Sequence, residues 1–335
     1  MAQISNQVCR TAKLSWVRAL VLLSALTAGS VIACQVPVFR YALERWQPDR
    51  YEITVLADSK PGDDDSQLIE QLRATASEAQ VTVKVVDVTD ADSPALQRLW
   101  KQNSKGGQPV LVAGYPSSTP LIGGAPAHLA PLTATSIAHL TDSPVRSELA
   151  KRLTSGQSAV WIFLESGDKE KDDAAFSRLE IQLALDAAWL KLPSTEELEI
   201  EPEVLDAAKI RLKIEFSVIR VPRDDPREAF LVDCLLNSES DLRGFNEPMA
   251  FPVFGRGRVL YALVGAGIAS DTVRTASSFV VGPCSCQVKN QNPGFDLLLS
   301  CDWETAVGDT FISEPIPGSS GSPQLLTIPP GRAGR

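Results

Sequence analysis

The sequence predicts an α/β protein with mixed sheets, and three observations carry that expectation. Short β-branched runs at residues 51–57, 81–88 and 110–113 alternate with stretches of helical periodicity at 66–79 and 94–102. A second series opens with the wholly apolar run Ala159-Val160-Trp161-Ile162-Phe163-Leu164, followed by a long amphipathic stretch at 172–192. Helices interposed between strands imply parallel pairing, with the helices packed on the sheet. At 335 residues, 44% hydrophobic and 22% charged, the chain has globular composition and exceeds one core of usual size, so two domains are expected.

Arg10, Lys13 and Arg18 precede an apolar run over 19–33. That run is shorter than the roughly 20 residues a spanning helix requires, and it reads as the core of a signal peptide over 1–33. It closes with Val31-Ile32-Ala33-Cys34, which resembles the lipobox of bacterial lipoproteins, with Ile32 where a small residue is usual. The resemblance implies export, diacylation of Cys34 and stable attachment to the cell membrane or outer membrane, facing the periplasm. The same Val-x-Ala ending also suits an ordinary signal peptidase, which would leave the chain simply secreted. Gln35 does not supply the aspartate that retains some lipoproteins at the inner membrane.

After the cysteine, Val38, Phe39, Ala42, Leu43 and Trp46 recur at helical spacing, so residues 37–46 are expected to pack as a first helix and not to act as a free tether. The Pro-, Ser-, Thr- and Gly-rich stretch 115–142 reads as a long connection with one short helix. Ser143-Pro144 opens a helix to about residue 154 through its N-cap and N1 preferences. Strands are expected at 210–221 and 228–236, joined by Pro222-Arg223-Asp224-Asp225-Pro226, then at 253–265 and 295–303. A helix begins at Ser270-Asp271 and ends before Gly282-Pro283. The expected organisation is a signal peptide over 1–33, a first domain with its connection over 34–142, a second over 143–312, and a disordered tail over 313–335.

Both series begin with a strand and a helix, and Gln108-Pro109-Val110 and Phe251-Pro252-Val253 each introduce a later strand. Over most of 51–281 this order resembles the thioredoxin-like fold. The resemblance implies two thioredoxin-like α/β domains with mixed sheets, and a cis-proline at Pro109 and at Pro252. The family's Cys-x-x-Cys sits at the start of the first long helix, where the helix N-terminus lowers the thiol pKa. Here those places read Ala57-Asp58-Ser59-Lys60 and Glu165-Ser166-Gly167-Asp168, so disulfide exchange of that type is not carried over. The whole chain is also similar to an uncharacterised family of bacterial exported lipoproteins, which implies no activity.

Six cysteines are present; Cys9 falls in the signal peptide and Cys34 is the lipid site, leaving Cys234, Cys284, Cys286 and Cys301. In an exported protein these four are expected to form structural disulfides. Reduced buried thiols remain an alternative, as does a Cys284-Ser285-Cys286 pair that exchanges disulfides or chelates a soft ion such as Cu(I). His128 and His139 are the two histidines, which excludes a histidine-rich metal centre; both read as solvated connection residues. Gly255-Arg256-Gly257-Arg258 places Arg256 and Arg258 on one face of an extended segment, as a candidate anion or partner contact or an ion-paired face. Asp63-Asp64-Asp65 lacks the calcium-loop register and suits a helix N-terminus. There is no Gly-x-Ser-x-Gly elbow and no phosphate loop. No cofactor is expected, and a net charge of −9 argues against a nucleic-acid partner. These observations imply a membrane-tethered, non-enzymatic binding or scaffolding lipoprotein that meets another envelope protein through an apolar or arginine-bearing face. The alternative is a thiol oxidoreductase or copper-handling protein using Cys284 and Cys286.

Overall fold

The wholly apolar run at 159–164 becomes the central strand of a mixed sheet, every residue of it buried, because helices cover one side and a second sheet approaches the other. The computed structural model describes residues 35–58, 61–78, 81–90, 93–117, 125–284 and 288–313. The expected signal peptide, Cys34, Cys286 and all of the tail but Ser313 lie outside the described residues.

Among the described residues the chain is α/β with two mixed sheets. It begins with helix α1 (Val38–Arg45), strand β1 (Tyr51–Ala57), helix α2 (Asp63–Glu78), strand β2 (Val81–Asp87) and helix α3 (Pro94–Asn103). Strands β3 (Val110–Gly114) and β4 (His128–Pro131) and helix α4 (Ala134–Thr141) follow. The first sheet has the order β2-β1-β3-β4. β1 runs parallel to β2 (Ile53 opposite Val83) and antiparallel to β3 (Ile53 opposite Ala113), and β3 runs antiparallel to β4. Ser93 caps α3 by accepting the Leu96 N–H at 3.4 Å, and Thr133 caps α4 by accepting the Ser136 N–H at 3.0 Å.

Helix α5 (Pro144–Thr154), with the expected Ser143 cap, leads into β5 (Ala159–Leu164) and the long helix α6 (Lys169–Trp189). The short helices α7 (Thr195–Leu198) and α8 (Pro202–Ala207) precede β6 (Phe216–Val221) and α9 (Ala229–Leu236). Strands β7 (Met249–Phe254), β8 (Arg258–Val259) and β9 (Leu263–Val264), helix α10 (Ser270–Val281), strand β10 (Phe295–Asp296) and helix α11 (Trp303–Val307) complete it. The second sheet has the order β10-β8-β7-β5-β6, with β9 also on β7; β5 is parallel to β6 and antiparallel to β7.

Alternation along β5 divides the core. Val160, Ile162 and Leu164 join Tyr51, Ile53 and Val55 of β1 and Phe230, Leu231 and Leu235 of α9 in one cluster shared by both sheets. Ala159, Trp161 and Phe163 point to the other side, against Phe39 and Tyr41 of α1, Leu179 and Leu183 of α6, and Val273 and Val280 of α10. Helix α1 is buried on nearly every side, and its polar residues are paired inside it. Arg40 donates to Glu44 at 2.6 Å and to the Ile210 carbonyl at 2.7 Å, while Glu44 accepts the N–H groups of Ile312 and Ser313. Residues near both ends of the described chain are therefore fixed to α1.

Several expectations are corrected. Residues 229–236 are a helix, not a strand: Ala-Phe-Leu-Val-Asp-Cys-Leu-Leu is apolar without a period, and such short runs do not separate helix from strand. The strand expected over 295–303 pairs only at Phe295 and Asp296, and the one expected over 210–221 begins at Phe216. The connection 115–142 contains β4, whose Pro131 is tolerated because β4 is an edge strand. No cis peptide bond occurs among the described residues, so Pro109 and Pro252 are trans and the expected cis-prolines are absent. Both sit in extended chain that continues straight, which the favoured trans bond already serves. Pro252 lies opposite Trp161 of β5, and on its other side the ladder passes from β9 to β8, where the missing N–H leaves no broken pair.

Candidate functional site

Cys234 lies in α9 and is fully buried. Its thiol is 3.3 Å from the Tyr51 hydroxyl, which donates to the Asp296 carbonyl at 2.8 Å, leaving the S–H to donate to the tyrosine oxygen. Burial pushes the Cys234 thiol up to about 12, so it stays protonated at neutral pH. Cys301 is half-buried, and burial, with Asp302 beside it, also raises its pKa. Cys284 is buried just past α10, where its N–H donates to the Val36 carbonyl at 2.9 Å and Val38 N–H donates to Gly282 at 2.9 Å. No disulfide joins Cys234, Cys284 and Cys301 to one another, and Cys286, the fourth member of the expected set, lies outside the described residues. No group of three or more metal-ligating side chains occurs among the described residues.

Arg256 and Arg258 are not on an exposed face. They belong to a tight hairpin between β7 and β8, and both are buried. Arg256 donates to the Leu43 carbonyl at 2.8 Å and to Glu304 at 2.7 Å, and Arg258 donates to Asp296 at 3.0 Å and to the carbonyls of Pro293, Asn292 and Gly294. Of the two readings, the turn with an ion-paired face is the one that forms and the exposed anion or partner contact is corrected: the guanidinium donors are spent on the fold, on partners distant in sequence. The glycines serve the hairpin, with φ of 58° at Gly255 and 99° at Gly257, and a side chain at Gly255 would meet Ala42 Cβ at 2.6 Å.

His128 is likewise not a solvated loop residue. It lies on β4 with Nδ1 2.7 Å from Asp233, its ring edge-on to Phe230 at 5.6 Å. Against the upward push of burial, hydrogen bonds from His128 and Arg243 hold the Asp233 carboxyl below the usual range. No serine, threonine or cysteine is seen completing this dyad among the described residues. Arg146 is buried over the Phe230 ring at 4.8 Å and donates to the carbonyls of Leu140 and Leu298 and to Ser143. Desolvation lowers its pKa to about 10, which leaves it charged at neutral pH. Glu228 receives the Ser143 hydroxyl at 2.6 Å and the Val145 N–H at 2.9 Å. This network ties α5 to α9 and the first sheet; sequence reasoning reached its Ser143 cap and missed Glu228, which is 85 residues away.

What remains for function is a surface. The inner face of α6 buries Ala175, Leu179 and Leu183, and its buried Asp186 receives Gln182 at 2.7 Å and Arg274 at 2.9 Å. On the outer face Ile181, Leu185 and Trp189 are 63%, 54% and 58% exposed. Spaced by four, they form one stripe, with the exposed Ala184 and Ala188 between them. The Arg274 guanidinium lies over the Trp189 ring at 5.0 Å and fixes its orientation. Among the described residues the other exposed large apolar side chains, Val85, Phe245 and Val288, are scattered along the chain. Sequence reasoning took 172–192 as amphipathic; the signal it passed over is that Ile181-Gln182-Leu183-Ala184-Leu185-Asp186-Ala187-Ala188-Trp189 is apolar on both sides of the helix. Neither a family model nor a curated protein matches the chain, so the site's chemistry carries the functional argument.

Proposed function

We propose that the chain is an exported, non-enzymatic binding lipoprotein, held at a membrane surface through Cys34, that meets another envelope protein through the outer face of α6. The carrying observation is the exposed stripe of Ile181, Leu185 and Trp189, because apolar side chains lined up on one helix and left in water mark an interaction face more often than scattered ones do. The described thiols favour this reading over redox chemistry: Cys234 is held protonated, and Cys284 is buried in the pairing of 282–284 with 36–38. Helix α1 supports a close tether. It starts four residues after Cys34 and is buried, so a lipid on Cys34 holds the folded body within about 15 Å of the bilayer.

The strand order favours the thioredoxin-like reading of both halves, and the trans bonds at Pro109 and Pro252 count against it. Strands β2-β1-β3-β4 and β6-β5-β7-β8 have the same sequence of one parallel and two antiparallel pairings. A scaffold of this kind without cysteines after its first strand retains its surface and not its redox step.

The test is expression of the full chain in bacteria with labelled palmitate. Label on the wild type, its loss in Cys34→Ser, and release of that variant from membranes are expected; an unlabelled soluble wild type sinks the tether. Differential alkylation with and without Cu(I) separates the alternative, since one tightly held copper ion lost in Cys284→Ser would replace a binding function with metal handling.

A further inference from the structure

The segment that follows the exposed stripe is strongly acidic and is packed in place. Between Lys191 and Lys209 there is no lysine or arginine, while Glu196, Glu197, Glu199, Glu201, Glu203 and Asp206 are all exposed. No ion pair between any of the six and a described lysine or arginine is found. The apolar residues between them, Leu198, Ile200, Val204 and Leu205, pack onto the same core cluster as the inner face of α6. Helices α7 and α8 follow the Trp189 end of the stripe in the chain, α7 beginning six residues after Trp189.

Resting on the binding reading above, we infer that the partner of this face is a basic amphipathic helix of another protein. Its apolar side covers Ile181, Leu185 and Trp189, and its lysines and arginines meet the acidic run. The stripe spans nine residues of helix, about 12 Å, and residues four apart form the ridge that packs against the corresponding groove of a second helix. Charge selects among occupants. Anionic headgroups would be repelled by six carboxylates that have no ion pair with a described lysine or arginine, whereas membrane-binding helices carry lysine and arginine on the polar side. A second copy would bring another acidic run to the face of a chain whose net charge is already −9. A contact of this size is weak, in the micromolar range, and weakens with salt because its charges are exposed.

The test uses the full lipidated chain in phosphatidylcholine nanodiscs and a synthetic 18-residue Leu/Lys amphipathic peptide, with a Leu/Glu peptide of the same pattern as control. A photo-crosslinking residue at the exposed Ala188 is used in cells. Expected are micromolar binding of the Leu/Lys peptide only, a loss of tenfold or more in Ile181→Ser/Leu185→Ser, and a comparable loss with a shallower salt slope in Glu196→Gln/Glu199→Gln/Glu203→Gln. Unchanged circular dichroism of both variants establishes that they fold. Equal binding by wild type and variants overturns the inference, as does crosslinking at 188 to lipid or to a second copy. Absent peptide binding with a stripe-dependent protein adduct at 188 overturns the basic helix and leaves the binding function standing; no adduct at 188 overturns both.

Discussion

The Arg258 guanidinium meets the Asp296 carboxylate at 3.0 Å with both side chains no more than 5% exposed. The pair joins β8 to β10, and Asp296 also accepts the Asp49 N–H at 2.9 Å and pairs with Lys289, so one carboxylate ties the start of the fold to its end. A buried pair adds little over an apolar one, but removing one member strands the other charge. Asp296→Ala is therefore expected to destabilise the chain by about 3–5 kcal/mol in urea unfolding, and Arg258→Met/Asp296→Leu by much less. Equal losses in the two variants would show that the carbonyls around Arg258, and not Asp296, hold its charge.

That pair also shows where sequence reasoning stops. Strands β1, β2, β3 and β5 and helices α1, α3, α5 and α10 were legible because their signals are local: a β-branched run, a periodic stripe, Ser or Pro at an N-cap or N1. The buried setting of Arg256 and Arg258 was not legible because their partners, Leu43, Glu304, Asn292 and Asp296, lie 34 or more residues away. Helix α9 was taken as a strand because a segment buried on most sides has no polar face to reveal its period. The stripe on α6 was hidden for a related reason: Leu183 faces the core and Leu185 faces water, two residues apart, while the polar Gln182 and Asp186 of the same run are buried.

Gly255 is where α1 approaches the β7–β8 hairpin. Gly255→Ala places a methyl group 2.6 Å from Ala42 Cβ and requires a left-handed backbone from an L-residue. A loss of about 1–3 kcal/mol is expected, with α1 loosened before the sheets. Limited proteolysis should then cut the Gln47–Arg50 segment first. Resistance there at an unchanged melting temperature would mean that α1 shifts without cost.

Cys234 predicts alkaline lability. Its folded pKa of about 12 stands above the roughly 8.5 of an exposed thiol, so above that lower value the unfolded chain releases a proton that the folded chain keeps. Stability from this group is complete below about pH 8.5 and falls by up to about 1.4 kcal/mol per pH unit until the folded thiol titrates. Tyr51 and Tyr115, also raised, chiefly by burial, act in the same direction at higher pH. Cys234→Ala should flatten the first part of the decline in denaturant midpoint between pH 8 and 10. In the native wild type, iodoacetamide at pH 7.5 should label Cys301 and leave Cys234 unmodified until the chain unfolds; rapid native labelling of Cys234 would contradict its burial.

Leu183 and Leu185 give the sharpest contrast on α6. Leu183 is 4% exposed within the cluster formed with α1 and α10, so Leu183→Ala removes buried methyl groups and is expected to cost about 2–5 kcal/mol. Leu185 is 54% exposed, and Leu185→Gln replaces it with a comparably long polar side chain at a position that contributes little to the core. Its effect should stay within about 0.5 kcal/mol, with less self-association at high concentration. Paired thermal melts and light scattering on the two variants decide the point. A large loss of stability in Leu185→Gln would mean that the stripe is already covered within the chain, and the interaction face would have to be sought elsewhere.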